Sequence, residues 1–221
     1  MKKEVVLPYN VYEKGIDFMI DIVNIIIGMI SLFIGIVGAI STYKSYLKER
    51  RLKSISWEDI NNGIKYIWKQ LHKIDFKPDF LIAPGADGGI VAYILSEYFD
   101  YDVFIDVGYT IYNNSTSFDF YSEKQYTLIN TNRLRVFLSK AIQDMPNKEN
   151  KKILIIDTFV LTGDFNSHLL KLLLEYGYSK ENIMVCCIAV TKVATSSSKA
   201  PNIYWKIVDN EDFYFPWGKA K

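Results

Sequence analysis

Two patterns of hydrophobic and polar positions divide the chain. From Ile22 to Ile40 the run IVNIIIGMISLFIGIVGAI is uncharged, and only Asn24 and Ser31 carry polar side chains. Such a run spans ~30 Å of hydrocarbon at ~1.5 Å per residue. It predicts one transmembrane helix over residues 16–41, after a short N-terminal segment, residues 1–15. A core helix of a soluble domain is rarely apolar on every face for so long. A secretory signal has a shorter apolar run followed by a small-residue cleavage site.

After residue 54 the pattern changes to short apolar runs alternating with amphipathic ones. SISWEDINNGIKYIWKQLHKI opens on Ser56 with Asp59 three residues later, which is a helix-capping pattern. Ile60, Ile64, Ile67 and Leu71 then fall on one helical face. PDFLIA predicts a strand, PGADGG a glycine-rich turn, and IVAYILSEYF a helix. DVFIDV is another strand, followed by a polar stretch from Asn113 to Gln125 with no clear period. NRLRVFLSKAIQDM reads as an amphipathic helix, KILIID as a strand, and GDFNSHLLKLLLEYG as a helix closed by Gly177. NIMVCCIAV is a further strand. Continuous apolar strands between helices predict an α/β domain whose parallel sheet is covered on both faces, over residues 55–221. Ligands of such sheets bind at the carboxyl ends of strands. That directs attention to residues 84–89, 113–125 and 157–166.

Charge refines the picture at one place. Lys44, Lys48, Arg50, Arg51 and Lys53 follow the apolar run in a basic linker, residues 42–54, while the preceding flank is mixed to acidic. Basic residues stay on the cytoplasmic side, which predicts a single-pass protein of the cell membrane with its C-terminal domain in the cytoplasm. Ser31, Gly35 and Ala39 recur every fourth residue and form a flat stripe on which two helices approach closely, so a homo-oligomer is expected. The formal net charge of +1 gives no field that would recruit nucleic acid, and direct nucleic-acid binding is not expected. The two cysteines are adjacent within an apolar strand and read as buried reduced thiols. The two histidines, His72 and His168, lack metal-ligand spacing.

Several segments, in order, carry a family resemblance: ISWEDI, KPDFLIAPGADGGIVAYILSEYF, ILIIDTFVLTGDF and FYFPWGK. Together they resemble the type I phosphoribosyltransferases, most closely the xanthine-guanine branch. The resemblance implies a parallel-sheet phosphoribosyltransferase-like domain preceded by one transmembrane helix. It also implies a phosphorylated ribose or nucleotide as ligand. In the family two adjacent acids hold the ribose hydroxyls. The amides of a Thr-Gly turn and the following helix cradle the 5′-phosphate, and magnesium bridges ribose and pyrophosphate.

The match is partial residue by residue. Asp157 keeps the first acid, whereas Thr158 replaces the second. Leu161 stands where the family has the acid before Thr-Gly, and leucine cannot move a proton. Thr162 and Gly163 are retained; Asp164 puts a negative charge where phosphate would lie, Phe165 removes a hydroxyl, and Asn166 follows. Asp87 precedes Gly88 and Gly89 where relatives often carry arginine. Lys192 corresponds to a lysine that reads a purine carbonyl, and Phe215 and Trp217 to the aromatic ending beside the base. Leu161, Phe165 and the terminal aromatics also suit plain core packing.

Two functional readings follow. One is a catalytically silent domain that binds a nucleotide or phosphoribosyl group as a sensor or effector, its Asp164 carboxylate either accepting the helix amides as an internal substitute for phosphate or lying in solvent as a first-turn residue that complements the helix dipole. The other is an active phosphoribosyltransferase acting on a purine-like base, with magnesium. Architectural analogy alone would fit either to a stress or defence role.

Overall fold

The computed structural model describes residues 9–52, 54–100, 102–111, 126–130, 135–210 and 212–220. The chain divides into two compact units, residues 1–52 and 53–221.

The first unit is one helix, α1, Tyr9–Leu52. Every described side chain from Phe18 to Leu47 is exposed. The helix is long and apolar enough to cross a membrane. It continues through the basic segment, so residues 42–52 are helical as well. A Cβ added at Gly28, Gly35 or Gly38 would meet nothing within 4 Å, which leaves the small-residue stripe open.

The second unit begins with α2, Trp57–Lys73. Its capping box is formed as expected: the Ser56 hydroxyl accepts the Asp59 amide, and the Asp59 carboxylate accepts the Ser56 amide at 2.9 Å. Ile60, Ile64, Ile67 and Leu71 are all buried. Strand β1, Phe80–Pro84, runs directly into α3, Gly85–Ser96. β2, Phe104–Ile111, is followed by β3, Tyr126–Asn130, and β4, Arg135–Ser139, the last leading into the short helix α4, Lys140–Gln143. Then come β5, Ile153–Val160, α5, Asp164–Glu175, β6, Ile183–Thr191, and the short α6, Lys192–Thr195. β7, Ile203–Val208, precedes a small hairpin of β8, Tyr214–Phe215, and β9, Gly218–Lys219.

The main sheet has the order β3-β4-β2-β1-β5-β6-β7. The five strands from β2 to β7 are parallel, while β4 is antiparallel to β2 and β3 antiparallel to β4. Alternation along β5 feeds two cores. Leu154 and Ile156 pack with the α2 and α3 side, and Ile153 and Ile155 pack with Leu169 and Leu173 of α5.

Two expectations are corrected. PGADGG is not a free turn: Gly85, at φ 69°, turns the chain and helix begins at once. NRLRVFLSKAIQDM is not one helix, because residues 135–139 form β4 and only Lys140–Gln143 is helical. Val136 and Leu138 are buried and paired in the antiparallel edge, and this pairing overrides helical periodicity. The polar segment 113–125 lies outside the described residues.

Helix α2 lies tight on the sheet at Gly63, where a Cβ would sit 3.1 Å from both Ile188 Cδ1 and the Trp205 ring. Overpacking of this kind costs about 1–3 kcal/mol. Gly63→Val is therefore expected to lower the urea unfolding midpoint by that equivalent. An unchanged midpoint would show that the helix can lift off without penalty.

Candidate functional site

The carboxyl end of β5 and the start of α5 form the centre of the site. β5 is buried along its length except at Asp157, which is partly exposed. The Asp157 carboxylate is turned back onto its own strand: Oδ1 accepts the Thr158 amide at 2.7 Å and the Phe159 amide at 3.4 Å. Burial pushes its carboxyl up to about 7, against these two amides, and the negative charge of Asp87 adds to the rise. The sheet edge thus brings two of the sequence-selected acids, Asp87 and Asp157, into electrostatic reach. Thr158 is buried.

Gly88, in the first turn of α3, is explained by packing. A Cβ there would lie 3.2 Å from the Ile156 carbonyl oxygen, a tight fit that favours glycine where α3 approaches the backbone of β5. Gly89 is in the same helical turn.

Downstream, Leu161 and Phe165 pack against the two cores, one on each side. The Leu161 carbonyl accepts the hydroxyl of Thr191 at the end of β6. Gly163 sits at φ 77° and starts α5. Left-handed backbone favours glycine, and here space requires it too: a Cβ would lie 2.8 Å from Lys199 Cβ and closer still to the Lys199 carbonyl oxygen. Asn166 is buried, and its Oδ1 has no hydrogen-bond partner among the described residues.

Asp164 does not do what the sequence led us to expect. Its carboxylate accepts the Thr162 hydroxyl at 2.9 Å and the ammonium of Lys199, not the amides of the helix. Lys199 and Thr162 hold its carboxyl below the ordinary value. The substitute-phosphate picture therefore fails in its original form, because a cation from the loop after α6 takes the carboxylate outward. Lys199 was missed in the sequence, where it is one lysine at the end of a serine run with no motif around it.

Lys192 is committed elsewhere, its ammonium 2.6 Å from Asp209 Oδ1, with both side chains exposed. The aromatic ending is largely core. Phe215 is buried and stacks on Trp217 with ring centroids 5.1 Å apart, while Phe213 meets Phe159 of β5 at 5.0 Å. Trp217 also touches Trp57 at 5.5 Å, and its Nε1 is buried without a partner among the described residues. Trp57 escaped the sequence reading because it opens an amphipathic helix, where an aromatic residue is unremarkable.

Among the described residues no group of three His, Cys, Asp or Glu side chains could hold a metal ion. Thr158 supplies no charge, and Asp157 is drawn toward its neutral form by burial.

A parallel sheet with a Thr-Gly turn and a helix N-terminus at its carboxyl edge is an α/β arrangement at which anions are commonly bound. The chain belongs to the phosphoribosyl transferase domain family, whose model matches residues 56–220. The fold is shared with a purine phosphoribosyltransferase from Pyrococcus horikoshii, at 17% identity and TM-score 0.53, over 76% of this chain and 95% of that one. A Helicobacter pylori xanthine-guanine-hypoxanthine phosphoribosyltransferase matches at 17% identity and TM-score 0.50, over 74% and 90%. A hypothetical protein from Neisseria gonorrhoeae with bound ppGpp matches at 21% identity and TM-score 0.53, over 75% and 89%. No curated protein sequence matches.

An acid whose folded pKa is raised contributes stability that is fully present below its unfolded value and lost as pH rises through the folded one. For Asp157 that window runs from the ordinary 3.8 to about 7. Between about pH 4 and pH 7 the wild type should lose stability through this group, by up to roughly 4 kcal/mol. Asp157→Asn should flatten that slope. Urea titrations across the range check it, and parallel slopes for the two proteins would count against a buried, neutral Asp157.

Proposed function

We propose that the chain is a membrane-anchored nucleotide or phosphoribosyl sensor, with little or no transferase activity. One feature supports this reading: the Thr162–Gly163 turn matches the family's, while the side chains around it do not. Gly163 holds the left-handed turn that starts α5, and orphan amides at a helix N-terminus favour an anion. Thr158 and Leu161 replace two acids. The remaining acid, Asp157, is turned onto its own strand amides. Leu161, standing where the family has an acid, cannot move a proton to or from a base.

The membrane part of the proposal rests on α1, whose apolar surface is exposed along its length, and on the basic cluster that follows it. The anchor would be single-pass, with the second unit in the cytoplasm. The stripe of Ser31, Gly35 and Ala39, with open space at Gly35, supports self-association of these helices.

The purified protein should bind at least one of guanosine monophosphate, ppGpp or phosphoribosyl pyrophosphate by calorimetry, and release no pyrophosphate when offered phosphoribosyl pyrophosphate, magnesium and purine bases. Turnover with any base would instead establish the transferase. The topology has its own check. Both native cysteines are buried, so a cysteine introduced by Lys219→Cys can be labelled selectively. It should resist an impermeant thiol reagent in intact cells and react after lysis; reaction before lysis would reverse the orientation.

A further inference from the structure

The loop between α6 and β7 lies over the start of α5, and it is built to stay there. At its near end the Ser197 hydroxyl donates to the Ala194 carbonyl at 2.8 Å and accepts the Lys199 amide at 3.1 Å. At its far end Asn202 is pinned to β6, its amide donating to the Val185 carbonyl and its Oδ1 accepting the Val185 amide, both at 2.8 Å. Between these anchors the Lys199 backbone presses on Gly163, the one residue without a side chain to block it. The Lys199 side chain then reaches Asp164, in the first turn of α5.

The backbone contact and the side-chain contact differ in kind. The first is short, and it is fixed by the two anchors. The second is an ion pair between half-exposed side chains, 45% and 49% accessible, and pairs of that kind are weakly held and readily exchanged. A cation kept beside a helix N-terminus by a rigid backbone, paired with an exchangeable carboxylate, is arranged to change partner.

Building on the nucleotide-binding reading above, we infer that Lys199 and Asp164 form a latch over the loop, and that a phosphomonoester binds by displacing the Asp164 carboxylate and taking Lys199 as its own counter-ion. Asp164 is then an internal competitor and Lys199 a ligand-binding residue. The contact sets a threshold for binding, because the incoming dianion must outcompete a carboxylate already in place. A phosphate brings more charge and more acceptor oxygens than a carboxylate, so it is the better partner for one ammonium beside a helix N-terminus. A ligand carrying a single carboxylate gains nothing over Asp164 and should not open the latch.

The test titrates ribose 5-phosphate into the detergent-solubilised full chain as wild type, Asp164→Asn, Lys199→Met, the double variant, and Lys171→Met as a charge control on the same helix. Asp164→Asn should bind about tenfold tighter than wild type, since it removes both the competitor and a like charge. Lys199→Met should weaken binding about fivefold, and it should do so in the Asp164→Asn background as well. Lys171→Met should match wild type. Hydrogen exchange in the same samples should show the amides of residues 163–166 protected by the ligand in Asp164→Asn. Equal affinity of wild type and Asp164→Asn would overturn the latch and leave the nucleotide reading standing. Loss of Lys199 without effect in the Asp164→Asn background would also overturn it. Absence of ribose 5-phosphate binding by every variant would overturn the latch, while the nucleotide reading is decided separately by guanosine monophosphate, ppGpp and phosphoribosyl pyrophosphate.

Discussion

The folded unit depends on how completely β5 is enclosed. It pairs with β1 on one side and β6 on the other, and its two faces supply both cores. A strand with no free edge and no free face can meet a ligand only where it leaves the sheet. The chain places Asp157 three residues before that exit, then closes over it with Phe159 and Val160, both buried. Ionising a carboxyl in such surroundings is costly unless amides or cations offset it. Here the offset comes from two amides of its own strand and no cation, so the strand itself sets the character of the site.

Charge around this exit is arranged unlike that of a polyanion-binding pocket. Asp87 adds negative potential to Asp157 from the first turn of α3, and Asp164 adds another carboxylate at the first turn of α5. The compensating cations come from outside the loop: Lys199 from the segment before β7, and Lys192 only as far as Asp209. Backbone geometry is held by the cores on both sides and is slow to change. Surface charges are not so constrained.

Much of this was legible in the sequence because it rests on local rules. The Ser56–Asp59 box, the buried face of α2, the all-apolar strands β5 and β6 and the stop at Gly177 each follow from periodicity or capping. The apolar run before residue 41 needed only its length. The failures were non-local. PGADGG looked like a loop because glycines weaken helices, yet Gly88 is favoured by the approach of α3 to the Ile156 carbonyl. The segment at β4 carries helical periodicity and is a strand because β2 and β3 pair with it. Lys199 is 35 residues from Asp164, and nothing in the neighbourhood of either residue signals the other.

Cys186 and Cys187 sit side by side in β6 and point into different layers. Cys186 belongs to the core under α2 and α3, and Cys187 packs with Val190 and Ala194 beneath α6. Burial pushes both thiols well above their ordinary values, and the nearby Asp157 charge adds to the effect at Cys187. Neither sulfur reacts with an alkylating reagent until its own layer parts from the sheet, because the thiolate is the nucleophile. The pair is thus a built-in clock for breathing motions, with one hand on each face. Whichever cysteine is modified first under native conditions identifies the layer that opens more often.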